Sequence, residues 1–178
     1  MDNIPVYIIE QATCDPRKCT ARKLLIKKKA RRLRFAGYGY VVLYPYARHV
    51  ISKRDIASDS FRGIVAVDCS WNNFGKTWGN CIGKSAKLRA LPYLVPANPI
   101  NYGKPTKLST AESLASALYI LGKTSQSRDL LSTFNWGDSF FALNEKLLNK
   151  YAIAKNSEEI ILYQNRIMGD LYGNRASD

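Results

Sequence analysis

The sequence predicts an α/β protein with a mostly parallel sheet and a helical C-terminal part. Two observations carry that prediction. Gly63 to Val67 is almost wholly apolar, as a strand buried on both faces must be, and other short apolar runs recur through the first hundred residues. From Ser109 onward the apolar spacing becomes helical. Strands first, with helices interleaved and then dominant, is the α/β pattern.

The elements follow in order. Val6-Tyr7-Ile8-Ile9 reads as a short strand, broken by Cys14-Asp15-Pro16, and Thr20 to Ala30 as a basic helix. Tyr40 to Tyr44 is a second strand, ended by Pro45, which has no N–H to donate. Arg48 to Ser52 suits a short edge strand, with the single histidine, His49, exposed near its end. Gly63 to Val67 delivers Asp68-Cys69-Ser70-Trp71 to a strand terminus, and Leu91 to Ala97 reads as a further buried strand. Ser109-x-x-Glu112 is a capping box. It opens a helix with Leu114, Leu118 and Leu121 on one face and Gly122 at its C-terminal end. Ser127 to Phe134 is a short helix. Gly137-Asp138 starts another, with Phe140, Asn144, Leu147 and Tyr151 on one side. Ser157 caps the last, whose stripe is Ile160, Tyr163, Ile167 and Leu171.

The 178 residues, 46% of them apolar, suit one domain with one good core. No run approaches the roughly 18 apolar residues of a membrane span, and no signal layout is visible, so a soluble cytoplasmic protein is expected. The formal charge of +13 is uneven. Residues 1–109 hold 20 Lys/Arg against 6 Asp/Glu, whereas residues 110–178 hold 7 against 8. The stretch 16–34 has ten basic residues and no acid. Such a run destabilises itself unless it meets a polyanion, which points to nucleic acid. A membrane surface fits less well, because Leu24, Leu25 and Ile26 are consecutive and form no amphipathic stripe. The spacings of Cys14, Cys19, Cys69 and Cys81 match no zinc ribbon, so no metal is expected and the thiols read as reduced.

Leu91 to Glu112 holds four of the seven prolines. It forms a stiff loop between an apolar run and a capped helix start, a place that suits a small ligand read by backbone atoms. In an open α/β sheet ligands sit at the C-terminal ends of strands. Asp68 to Trp71, the 98–107 loop and the Ser109 helix start converge there. There is no Gly-x-Gly-x-x-Gly and no phosphate-binding Gly-x-x-x-x-Gly-Lys-Ser/Thr motif.

Cys14-Asp15-Pro16-Arg17-Lys18-Cys19-Thr20, Arg22-Lys23-Leu24, Val67-Asp68-Cys69-Ser70-Trp71 and LPYLVPANPINYGKPTKLS from Leu91 together resemble the small-subunit rRNA aminocarboxypropyltransferase family. Trp136-Gly137, Phe140 and Asn144-Glu145 fit it too, and the resemblance covers roughly residues 6–155. It implies a fold like that of SPOUT-class methyltransferases, with a trefoil-knotted site for S-adenosyl-L-methionine. It implies transfer of the 3-amino-3-carboxypropyl group, not the methyl, to N3 of a (methyl)pseudouridine or uridine in small-subunit rRNA. The short basic chain, without long acidic tails, is similar to archaeal members.

By position, the resemblance assigns donor contacts to Thr20, Val67, Leu91, Thr106 and Thr110, and places Asp68 and Trp71 at the reaction centre. Thr106 departs from the aromatic or Cys common in the family, and Pro96 from a usual small residue. Asp68 closes a hydrophobic strand, a costly place for a lone charge. Three readings stay open for it: a general base for the N3 proton, an electrostatic partner of the sulfonium, or a cap on backbone N–H groups. A flat ring at Trp71 suits shielding of the donor methyl and tolerates the positive sulfur. Thr20 at a helix start suits the carboxylate end of the donor.

Arg17, Lys18, Arg22, Lys23, Lys27, Lys28 and Arg31 would grip rRNA phosphates, which position a substrate without choosing a base. On this reading residues 1–60 form the basic RNA-contacting part and 61–178 the donor-binding part with its C-terminal helices, within one compact unit. The partner is rRNA or a pre-ribosomal particle, and the helices after Phe134 favour a monomer by covering the dimer surface of SPOUT relatives. A knotted RNA methyltransferase and a non-catalytic rRNA-binding assembly factor are the competing expectations.

Overall fold

A computed structural model describes residues 3–11, 19–68 and 80–172. Trp71, Arg17, Lys18, Cys14 and Cys69 lie outside the described residues. Five parallel strands form one sheet: β1 (Val6–Glu10), β2 (Arg31–Arg32), β3 (Tyr40–Leu43), β4 (Gly63–Asp68) and β5 (Lys87–Arg89). Their order across the sheet is β2-β1-β4-β3-β5. The helices are α1 (Thr20–Ile26), α2 (Thr110–Ile120), α3 (Thr124–Leu131), α4 (Gly137–Ile153) and α5 (Ser157–Tyr172).

β4 is buried on both faces, as its sequence requires. Ile64 and Ala66 join the main core with the helices, while Val65 packs with Ile9, Val42, Ala36 and Cys81 on the opposite face. α2 is buried along nearly its whole length, from Ala111 to Ile120, and is the hub of the helical layer. Its capping box forms as expected: the Ser109 hydroxyl accepts from Glu112 N, and Glu112 reaches back to Ser109 N. Gly122, at φ 83°, closes its C-terminal end. Phe140, Asn144, Leu147 and Tyr151 are all buried on α4.

Five expectations are corrected. Leu91 to Ala97 is not a strand. Pro92 and Pro96 supply no N–H, and the intervening donors are taken by helix side chains rather than by a neighbouring strand. Tyr93 N donates to Gln164 Oε1 (2.7 Å), Val95 N to Asn144 Oδ1 (2.8 Å) and Ala97 N to Glu112 Oε1 (2.7 Å). The Tyr151 hydroxyl donates to Tyr93 O, and burial pushes that phenol well above its ordinary pKa, so it stays a donor. The segment is therefore stitched to α5, α4 and α2 in turn.

The Arg48–Ser52 edge strand is a single bridge, Val50 to Ala90, followed by a 3-10 turn at Lys53–Ile56. The short helix expected at 127–134 lies at Thr124–Leu131. Ser157 is not the cap of α5. Its hydroxyl accepts from Val50 N (2.8 Å), and Asn156 Oδ1 takes the capping bond from Glu159 N (2.9 Å).

The basic helix also ends earlier than expected, at Ile26. Lys28 sits at φ 56°, Lys28 N bonds Leu25 O and Lys29 N bonds Leu24 O. That is a helix-terminating motif that favours glycine, here closed by a lysine. A side chain in the left-handed region costs about 1 kcal/mol. Lys28→Gly is expected to raise stability by about that amount, a rise of roughly 2–4 °C in melting temperature. No gain in a thermal melt would show that Lys28 is relaxed there.

Candidate functional site

β1 and β4 lie side by side, with Glu10 opposite Asp68. The chain leaves β1 toward β2 at one edge and leaves β4 toward β5 at the other. Their C-terminal ends therefore form a topological switch point, where a crevice opens. Two cavities flank it.

The larger, about 740 Å³, lies beyond the ends of β3 and β4. Its walls are Leu43 to Tyr46, Ala66 and Val67, Leu91 to Tyr93, Thr106 to Leu108, and Thr110 with Ser113 on α2; Gln164 and Met168 of α5 close one side. Four of the five residues expected to hold the donor, Val67, Leu91, Thr106 and Thr110, line this space together. Thr20, the fifth, is not among its lining residues. Its hydroxyl accepts from Ala111 N (3.3 Å), which ties the start of α1 to the first turn of α2 beside Thr110. The N-cap of α1 is Cys19, whose sulfur accepts from Arg22 N (3.3 Å).

Thr106 has φ 68°. A β-branched residue in that region is strained, and such strain persists only where the surroundings enforce it. Here Thr106 N donates to Leu94 O (3.0 Å) and Leu108 N to Thr106 O (2.9 Å), folding the loop back over the proline-rich segment. The loop is anchored below by Glu112, fully buried on α2. Its Oε1 accepts from Ala97 N and Asn98 N, and its Oε2 from Asn98 Nδ2, Ser109 N and Ser109 Oγ. One carboxylate therefore fixes both ends of the loop.

Asp68 stands between the cavities. It is 8% exposed, and both its oxygens are bonded to side chains: Oδ1 accepts from Thr110 Oγ1 (2.9 Å) and Oδ2 from Cys19 Sγ (3.1 Å). It also lines the second cleft, about 540 Å³, with Gln11, Cys19, Arg22, Arg32, Arg34 and Cys81. Burial pushes the Cys81 thiol above its ordinary pKa, so it behaves as a small neutral group. The Asp68 carboxylate thus faces the basic cleft directly and is tied to the larger cavity through Thr110.

Of the expected RNA contacts within the described residues, Arg22, Lys23, Lys27, Lys28 and Arg31 are all exposed. Two of their basic neighbours have partners: Lys29 pairs with Asp129 and Arg32 with Glu10. Among the described residues no cluster of His, Cys, Asp and Glu suits a metal ion, and no helix is long and apolar enough to cross a membrane. Sequence reasoning missed Tyr44 to Tyr46, Gln164 and Met168 as cavity walls. A polar Gln164 beside the apolar stripe of α5 was the available signal.

Residues 41–168 match the family model described as "Ribosome biogenesis protein, C-terminal", so the match runs into α5, past the limit near residue 155 expected above. The chain is 40% identical over 166 residues to the 16S rRNA aminocarboxypropyltransferase of Methanosarcina acetivorans, covering 92% of this chain and 94% of that one. It is 42% identical over 167 residues to the protein of the same description from Methanosphaera stadtmanae, covering 92% and 97%. Among solved structures, it superposes on one described as the SAM-dependent rRNA:acp-transferase Tsr3 from Vulcanisaeta distributa. That superposition has a TM-score of 0.79 and 34% identity, covering 89% of this chain and 88% of that one.

Proposed function

This chain belongs to the 16S rRNA aminocarboxypropyltransferase family, and on that premise we propose that it moves the 3-amino-3-carboxypropyl group of S-adenosyl-L-methionine onto N3 of a (methyl)pseudouridine or uridine in small-subunit rRNA during ribosome biogenesis. The observation that carries the reading is the gathering of Val67, Leu91, Thr106 and Thr110 around one cavity, with Thr110 bonded to Asp68 at its inner wall.

The cavity fits the donor. Its volume lies within the range of about 300–1,000 Å³ usual for small-molecule sites. Leu43, Ala66, Leu91, Pro92 and Leu108 offer apolar wall to a nucleoside base. Thr110 and Ser113, in the first turn of α2, offer hydroxyls and the positive end of a helix to an amino-acid end. The donor supplies a sulfonium whose sulfur departs as a neutral thioether, a leaving group good enough that the protein has chiefly to position the reactants.

The residues divide that task. Thr110 and Cys19 hold the Asp68 carboxylate in one orientation, through Oδ1 and Oδ2 respectively. Each oxygen retains accepting capacity, so the carboxylate takes the N3 proton of an incoming base or balances positive charge on its donor side. The folded-back 94–108 loop excludes water from the donor side. In the same reading that loop and α2 make a trefoil-knotted cradle, and Trp71 covers the donor methyl, leaving the 3-amino-3-carboxypropyl arm to react. Residues 1–60 contribute the phosphate grip through Arg17, Lys18, Arg22, Lys23, Lys27, Lys28 and Arg31, and residues 61–178 contribute most of the donor site. The enzyme works as a monomer in the cytoplasm on rRNA or a pre-ribosomal particle.

Label tracing tests the reaction. Donor labelled in the carboxypropyl carbons is expected to mark the RNA, and donor labelled in the methyl to leave it unmarked. The reverse pattern would make the protein an RNA methyltransferase. RNA binding with no donor affinity in calorimetry would make it an assembly factor.

A further inference from the structure

We propose that Phe35 is a stacking platform for an unpaired base of the RNA substrate. The inference rests on the reading of the chain as an rRNA-modifying enzyme, and adds a base contact to a face otherwise credited only with gripping phosphates.

The sheet face away from the helices is covered by a thin layer of two extended segments joined at the bridge from Ala36 to Ile82. Ala36 N donates to Cys81 O (2.9 Å) and Gly83 N to Ala36 O (2.8 Å). Ala36 is fully buried against the sheet, so its neighbour Phe35 faces outward and is 54% exposed. The ring is nevertheless held in place. A methyl group on Gly83 would lie 2.7 Å from Phe35 Cζ, and one on Gly37 would lie 3.2 Å from Phe35 Cε1. The ring therefore rests directly on the two glycines. Neither glycine has a positive φ, so their conformation does not demand glycine; the ring above them does. The result is a fixed aromatic surface with backbone beneath it and solvent above.

Its surroundings select the partner. Residues 31–38 and 81–89 together carry six Lys/Arg and no acid. Arg34 and Lys84, next to Phe35 and Gly83, are exposed and have no ion-pair partner among the described residues. Arg34 also lines the cleft that reaches Asp68. A rigid ring flanked by cations is what a single-stranded nucleic acid needs, a π-face for a base and charge for the adjoining phosphates. Paired bases in a duplex cannot reach such a ring.

The test uses the full chain, a single-stranded oligouridylate of about 20 nucleotides and a duplex of equal length. Phe35→Ala is expected to weaken single-strand binding roughly 5- to 100-fold, because stacking on an aromatic ring carries about that much. Duplex binding and the slope of log affinity against log salt should stay unchanged, since no phosphate contact is lost. Phe35→Trp should restore binding. An unchanged melting temperature and unchanged donor affinity in calorimetry show that Phe35→Ala still folds. The triple variant Lys27→Glu, Lys28→Glu, Arg31→Glu should do the opposite, weakening both ligands and flattening the salt slope. Single-strand affinity of Phe35→Ala within twofold of wild type, or an equal loss on the duplex, overturns the platform and leaves the ring as a protein contact. Failure of the wild type to bind either RNA at low salt overturns the rRNA reading itself, and the platform with it.

Discussion

Replacing Asp68 with alanine is expected to slow carboxypropyl transfer to rRNA about 10²- to 10³-fold while leaving donor affinity within about threefold. The expectation follows from position. Asp68 ends β4 at the switch point, is 8% exposed, and touches Thr110 of the larger cavity, the proposed donor site, through one oxygen and Cys19 of the basic cleft through the other. A group on that boundary acts on the encounter between donor and base more than on either alone. Loss of the carboxylate frees a hydroxyl and a thiol, which can turn to other partners, so the fold should survive. Single-turnover rates and calorimetric donor binding, measured on the same preparations, separate the outcomes. An equal fall in both would make Asp68 a donor-binding or folding residue, and an unchanged rate would remove it from the chemistry.

The strands that build the middle of the sheet were legible because burial on two faces writes a continuous apolar run. Val6–Ile9, Tyr40–Tyr44 and Gly63–Val67 all became strands within a residue. The outer strands left no such mark. Arg31–Arg32 and Lys87–Arg89 are two and three residues long, charged, and defined by the register of β1 and β3 rather than by their own pattern. Leu91 to Ala97 misleads for the converse reason. It is apolar and its burial alternates like a strand's, yet its Tyr93, Val95 and Ala97 N–H groups donate to side chains on α5, α4 and α2. Its prolines mark a chain that cannot keep a ladder.

The site divides in the same way. Val67, Leu91, Thr106 and Thr110 of the larger cavity could be named from motif position, whereas Tyr44 to Tyr46, Gln164 and Met168 could not. What assembles them could not: Asn144 and Glu112 act on segments 49 and 14 residues away, and no local periodicity reports a contact of that kind. The sequence places Asn144 on one side of a helix with Phe140, Leu147 and Tyr151 and in a motif of the family, but does not show what it bonds. Its Oδ1 accepts from Val95 N while its Nδ2 donates to Val95 O and Phe140 O, so it pairs with the segment as a neighbouring strand would.

The Glu112→Ala variant is expected to be the most destabilising single substitution near the site. Glu112 is fully buried and its carboxylate accepts from Ala97 N, Asn98 N, Asn98 Nδ2, Ser109 N and Ser109 Oγ, at 2.6 to 3.0 Å. Those donors, together with the positive end of α2, offset the cost of a buried charge. Alanine would leave the donors facing a void, and stranding members of a buried network costs about 3–5 kcal/mol. In a chain of this length that is a fall of roughly 10 °C in melting temperature. Glu112→Gln should fall between the two, because it keeps the volume but turns an NH₂ toward donors it cannot accept from. The functional consequence is separable from the thermal one. With its ends released, the 97–109 loop no longer holds Thr106 at φ 68° or Thr110 against Asp68, so donor affinity should drop well before the protein unfolds. Calorimetry at a temperature where both variants remain folded measures that loss directly. Wild-type donor affinity in Glu112→Gln would show that the loop keeps its shape without the carboxylate, and a melt within 2 °C or so of wild type for Glu112→Ala would show that the network carries little of the fold's stability.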